Sequence, residues 1–187
     1  MIETLWTIQD EAAFEEFQKT GVLRADSDHL LFGGEFRNAY DWMVGQMRSR
    51  MGKAPDGIQY PVWAWYQWEG KRKRRDLRQS GYAKRGTPLV QITFEANSDD
   101  FLLSDFDTWH LVLGNHYIAD NEQDWDNFYA HGGDNRQAEI IASWNKIFDL
   151  SRYTPNWDLE PDQCTIQATL WEIKLFQVKK TEHFIAK

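Results

Sequence analysis

Five aromatic rings fall within nine residues, Tyr60-Pro61-Val62-Trp63-Ala64-Trp65-Tyr66-Gln67-Trp68. Side chains alternate along a strand, so Trp63, Trp65 and Gln67 share one face and Val62, Ala64, Tyr66 and Trp68 the other. Both faces carry large apolar groups. Either both are core beneath helices, or one is a stacking platform where Gln67 hydrogen-bonds a base-like ring. Pro61 suits an edge strand or the first position of a strand.

The chain can build such layers. Its 187 residues are 42% hydrophobic and 27% charged, which is globular composition, and one domain over residues 1–187 is expected. A chain of this length needs no disulfide or metal to complete its core. Collagen, coiled coil, disulfide mini-protein and membrane span are excluded, since no stretch approaches the roughly 18 apolar residues of a spanning helix.

Local patterns give the element order. Thr4–Gln9 reads as a central strand, followed by a helix with Asp10 as N-cap, Phe14 and Phe17 inward and Gly21 as its stop. Phe36, Ala39, Tyr40, Met43, Val44, Met47 and Met51 follow helical spacing, predicting a helix from about Glu35 to Met51. Leu89–Glu95 alternates and is expected to form a hairpin with the aromatic strand. Ser104 resembles a capping-box start for a helix reaching Leu113. Asp120–Asp126 reads as an acidic turn. Gln137–Leu150 reads as a helix with Ile140, Ile141, Trp144, Ile147 and Phe148 inward. Pro155–Pro161 is irregular, and Thr165–Leu175 and Gln177–Ile185 read as strands. No internal repeat is present. The expected class is α+β, with a mixed or antiparallel sheet and flanking helices.

Charge is unevenly distributed. The net charge is −8, yet Lys71–Arg85 carries eight basic residues against Asp76, leaving +7 there and −15 elsewhere. Lys71, Arg72, Lys73, Arg74, Arg75 and Arg78 are candidate phosphate or nucleic-acid contacts, with Tyr82 as a base-stacking ring. The opposing reading is a solvated loop over 71–86, tethered to the chain's own acids. Cys164 is the single cysteine, so no internal disulfide forms and a reducing, cytoplasmic setting is expected. The N-terminus lacks the pattern of a secretory signal. No membrane partner is expected.

Other polar groups carry weaker signals. Ser104, Asp105, Asp107, His110 and His116 could suggest a metal, but roughly 600° of helix rotation separates the two histidines. Asp120, Glu122, Asp124 and Asp126 imitate a calcium loop without its glycine or final acid. No metal is expected. Glu172, in Leu170-Trp171-Glu172-Ile173, needs a partner or a cleft, and is a candidate acid/base or ligand anchor. Its structural alternative is an ion pair with Lys174 or another neighbour.

Several blocks together resemble the bacterial domain-of-unknown-function family numbered 3841. They are Leu5-Trp6-Thr7-Ile8-Gln9, Ala39-Tyr40-Asp41-Trp42-Met43, the aromatic strand, Asp76-Leu77-Arg78, Leu102–His110 and Trp171-Glu172-Ile173. Arg75 stands where that pattern has a proline. A second resemblance, to ADP-ribosyltransferase-like folds, rests on the opening strand and helix through Leu23, on Val90–Ser104, and on Glu172. It implies a nucleotide-like ligand cleft with NAD as the cofactor. Glu172 would be catalytic, stabilising an oxocarbenium-like transition state, and Gln9, Trp65, Tyr66 and Gln67 would hold the ligand. The alternative is a non-enzymatic RNA- or protein-binding module working through Lys71–Arg85.

Overall fold

The computed structural model describes residues 1–25, 36–132, 135–152 and 161–187. Its centre is a six-stranded sheet, ordered β5-β6-β3-β1-β4-β8, in which every neighbouring pair is antiparallel. The strands are β1 (Ile2–Asp10), β3 (Val62–Gln67), β4 (Pro88–Asn97), β5 (Phe101–Asp105), β6 (Ile166–Leu170) and β8 (Val178–Ile185). A two-stranded sheet pairs β2 (Val22–Leu23) with β7 (Ile173–Lys174). The helices are α1 (Glu11–Thr20), α2 (Arg37–Met51), α3 (Phe106–Leu113), α4 (Glu122–Ala130) and α5 (Gln137–Ser143). This is the α+β class.

The first face of the sheet packs on α1. Leu5, Val62, Ala64, Val90, Ile92, Phe94, Ala168 and Leu170 meet Phe14, Phe17, Leu23 and Ile173 in one buried cluster. Asp10 starts α1 as expected, its carboxylate accepting from the Ala13 amide at 2.7 Å. Gly21 ends it at φ 77°, a left-handed conformation that favours glycine.

The second face is covered in two parts. Trp63 and Leu102 pack against α2, α3 and α5 in a cluster built on Met43, Met47, Trp109, Ile140, Trp144 and Ile147. The spacing of Ala39, Met43, Val44 and Met47 puts these four on the buried side of α2. On the part of the face formed by Trp65, Trp6, Gln91, Glu182 and Phe184, α3 reaches Trp65, whose ring meets that of Phe106 with centroids 4.9 Å apart. The basic segment 71–86 supplies the contacts to Trp6, Glu182 and Phe184 and shares Trp65 with the helix.

That arrangement overturns the expected hairpin between the aromatic strand and Leu89–Glu95. β1 lies between β3 and β4 and pairs with both. The chain therefore has to cross β1 to reach β4, and the cationic residues form that crossing. Other expectations change as well. The N-cap of α3 is Asp105, accepting from the Thr108 amide at 2.6 Å, because residues through Asp105 are spent on strand β5. The acidic turn at Asp120–Asp126 is largely the first turn of α4, where Asn121 caps and acids suit the helix dipole. The helix from Gln137 tightens to a 3₁₀ turn at Trp144–Phe148, and Ile141 is 39% exposed. The strand expected through Leu175 breaks at Trp171-Glu172 into β6 and β7. Glu35 and the irregular stretch before Pro161 lie outside the described residues.

Leu5, fully buried at the centre of the first face, tests this core. Leu5→Ala is expected to cost about 2–5 kcal/mol by urea denaturation with an unchanged denaturant slope.

Candidate functional site

The site is built by a turn at the end of β3. Glu69 at φ 48° and Gly70 at φ 71° both adopt positive φ, and Trp68 and Lys71 exchange backbone hydrogen bonds at 2.9 and 3.1 Å. Two central residues with positive φ make a type I′ turn. Gly70 is also pressed against the backbone of Asp162, where a Cβ would come within 2.6 Å of the carbonyl oxygen. The turn sends the chain back over the second face. Ahead of it, a bulge between Trp65 and Gln67 interrupts alternation. Trp65 and Trp68, expected on opposite faces, therefore meet edge to face with centroids 5.0 Å apart.

Arg74 and Arg75 are seated on this surface, and Arg72 sits at the edge of β1 beside Tyr66, whose ring packs against the first-face cluster. The Arg72 guanidinium lies 3.6 Å from the Tyr66 ring centroid, donates to the Thr4 carbonyl at 2.8 Å and pairs with Glu3 at 3.1 Å. It thus satisfies β1 backbone near where β3 has turned away. Arg74 pairs with Glu182 at 3.2 Å and Lys73 with Glu69 at 3.4 Å. Arg78 grips Asp76 through several hydrogen bonds, the shortest at 2.7 Å, which holds that carboxyl well below the usual carboxylate range. Arg75 lies 4.2 Å from the Trp68 ring centroid, 4.4 Å from that of Tyr82 and 5.5 Å from that of Trp65. Tyr82 meets Phe184 at 5.6 Å and donates its hydroxyl to the Asp76 carbonyl at 2.8 Å. Burial pushes its phenol above the usual range. A cavity of about 480 Å³ opens here, bordered by Trp68, Lys73, Arg74, Arg75, Leu77 and Arg78 among others.

The candidate ligand-holding residues divide into two places. Trp65 and Tyr66 lie under the basic segment, and the Gln67 amide donates to the Cys164 carbonyl at 2.9 Å. Gln67 is paired with Ile166, whereas Glu172 lies beyond Leu170 at the other end of β6. A five-residue strand is roughly 15 Å long. Gln9 sits toward the Glu172 end on the α1 face, its amide donating to the Thr7 hydroxyl at 2.9 Å. Glu172 pairs with Arg24 at 2.9 Å and with Lys174 at 3.6 Å, its side chain 16% exposed. These contacts clamp β2 to β7. The structure thus does not bring Gln9, Gln67 and Glu172 around one hollow.

A buried polar layer behind the turn had no distinctive sequence signal. Gln167 donates to Ser104 at 3.3 Å, Glu69 donates its amide to the Thr165 hydroxyl at 3.2 Å, and Phe106 donates to the Thr165 carbonyl at 2.9 Å. Cys164 lies within it, and burial, followed by the nearby Asp105 carboxylate, pushes its thiol up to about 12. Among the described residues, no three His, Cys, Asp or Glu side chains converge as metal ligands. No helix among them is long and apolar enough to cross a membrane.

The sequence model of the family described as Domain of unknown function (DUF3841) matches residues 4–179, so the chain belongs to that family. Comparison with curated proteins and with solved structures finds no match, and the ADP-ribosyltransferase-like resemblance gains no support from either.

Because the raised thiol keeps its proton, native Cys164 should resist iodoacetamide at pH 8 and react at the rate of a free thiol in urea. The stability it contributes is present in full below its ordinary value of about 9 and is lost as pH rises through about 12.

Proposed function

We propose that this DUF3841 protein is a binding module that holds single-stranded RNA on the surface formed by residues 71–85. The observation that carries the reading is a charge excess on a folded surface. Eight cations gather there against Asp76 and the three carboxylates that reach them, Glu3, Glu69 and Glu182. Lys180, 3.2 Å from Glu182, adds another cation.

Physical magnitudes favour exchange of these partners for phosphate. Partly exposed pairs such as Arg72–Glu3 and Arg74–Glu182 are worth about 0–1 kcal/mol each. They orient the arginines without consuming their capacity to bind. Lys71, Lys84 and Arg85 have no carboxylate partner among the described residues and face solvent. Trp65, Trp68 and Tyr82 stand among the cations, and sequence-tolerant single-strand binding combines such rings with a basic track.

The transferase reading would use Glu172 to stabilise an oxocarbenium-like transition state and NAD as its donor. Glu172 is engaged by two cations at a strand junction, away from the cavity-lining residues. That arrangement favours a structural role for it.

Fluorescence titration with mixed-sequence single-stranded RNA at several salt concentrations tests the proposal. Contact with five phosphates predicts a log–log slope of about −3.5. Replacing Lys71, Lys84 and Arg85 together by Gln should flatten that slope by about 2, with little change in melting temperature. A salt-independent signal, or no binding, removes the proposal.

A further inference from the structure

We infer that Arg75 is the receptor for a phosphomonoester, so that this surface selects a phosphorylated RNA end over an internal phosphate. The inference rests on the RNA-binding reading above.

Arg75 differs from the cations around it. Arg72, Lys73, Arg74 and Arg78 each meet a carboxylate. Arg75 meets rings instead, with Trp68, Tyr82 and Trp65 gathered about its guanidinium. Rings orient a guanidinium but satisfy none of its in-plane donors. Its Nε is buried without a hydrogen-bond partner, an expensive condition for a native polar group. With Nε sealed off, the two terminal nitrogens are the donors left to a ligand; they make no hydrogen bond to a described residue and are not among the sealed atoms. The planar fork matches the oxygens of phosphate, and aromatic packing fixes the fork before the ligand arrives.

Shape and charge narrow the ligand class. The cavity beside Arg75, about 480 Å³, is of a volume that a mononucleotide-sized group can enter. Lys73, Arg74, Arg75 and Arg78 border it, together with Glu69 and Asp76. Four cations against two carboxylates leave a local excess of two positive charges. A terminal phosphomonoester carries about −1.5 to −2 at neutral pH, against −1 for the diester within a strand. Trp68 and Leu77 add the apolar wall that an attached ribose and base would contact.

The test uses the full chain and a mixed-sequence hexaribonucleotide in three forms: 5′-phosphorylated, 3′-phosphorylated, and hydroxyl at both ends. Adenosine 5′-monophosphate serves as competitor. A phosphorylated end is expected to tighten binding by roughly tenfold or more, the scale of a charge-assisted bidentate contact. Arg75→Lys keeps the charge and loses the fork. It should bring the ratio of phosphorylated to hydroxyl affinity close to one, a ratio taken within the same variant, so that any change in its affinity for RNA as a whole cancels. Equal binding of the forms by the unaltered protein overturns the inference and leaves the RNA reading standing, and this arm needs no variant to fold. A ratio that survives Arg75→Lys in a protein with an unchanged circular dichroism melt also overturns it. If the monophosphate binds through Arg75 and RNA does not, the phosphomonoester site stands and the RNA reading falls. If neither RNA nor monophosphate binds, both fall.

Discussion

A sheet with large apolar groups on both sides has to be covered twice, and that requirement organises this molecule. α1 and the small β2–β7 pair cover the first face. On the second face the helices reach Trp63, Leu102 and, through Phe106, Trp65, while the part that carries Gln91, Glu182 and Phe184 lies toward the β8 edge. The connection from β3 to β4 must cross this part because β1 intervenes between them. The cover is therefore made from the residues of that connection, and most of them are cationic.

Cations can cover apolar surface when their stems and flat groups are used. A guanidinium is weakly hydrated and packs on an aromatic face, which a lysine ammonium does less well. Arg72 lies on Tyr66 and Arg75 lies among Trp65, Trp68 and Tyr82, while Arg74 reaches Glu182 across the sheet. Gln91 is 1% exposed beneath this layer, its amide donating to the Thr7 carbonyl at 3.2 Å. The same packing that covers the sheet holds the donors in place. A surface that is both folded and positively charged is thereby available to an anionic partner without first being ordered.

The legible parts of the fold were those with local causes. Asp10 and Gly21 mark the ends of α1, and the α2 stripe and the alternation of β4 follow simple periods. Topology was not legible, because the return of β1 between β3 and β4 is a long-range pairing with no local mark. β2 was not foreseen, and two further elements were missed for related reasons. Phe101–Asp105 is too short to reveal its period and ends in a residue that also caps α3, and α4 is acidic enough to read as a turn. At the site, the charge of 71–85 was plain in the sequence. Its seating was not, since the bulge at Tyr66 reverses the facing of Trp68 relative to Trp65. Glu172 stood out as a carboxylate among apolar residues, but its partner Arg24 lies 148 residues away in sequence.

Amide hydrogen exchange within the cationic connection, followed residue by residue in the unliganded protein, tests this account most directly. Gln79 donates to the Asp76 carbonyl at 3.0 Å, Thr87 to that of Lys84 at 3.1 Å, and Gly86 to that of Ala186 at 2.8 Å. A connection packed on the sheet keeps these three amides protected relative to free peptide, with Gly86 opening only together with the β8 end. Exchange of all three at unprotected rates would show a loose, solvated loop and contradict the account.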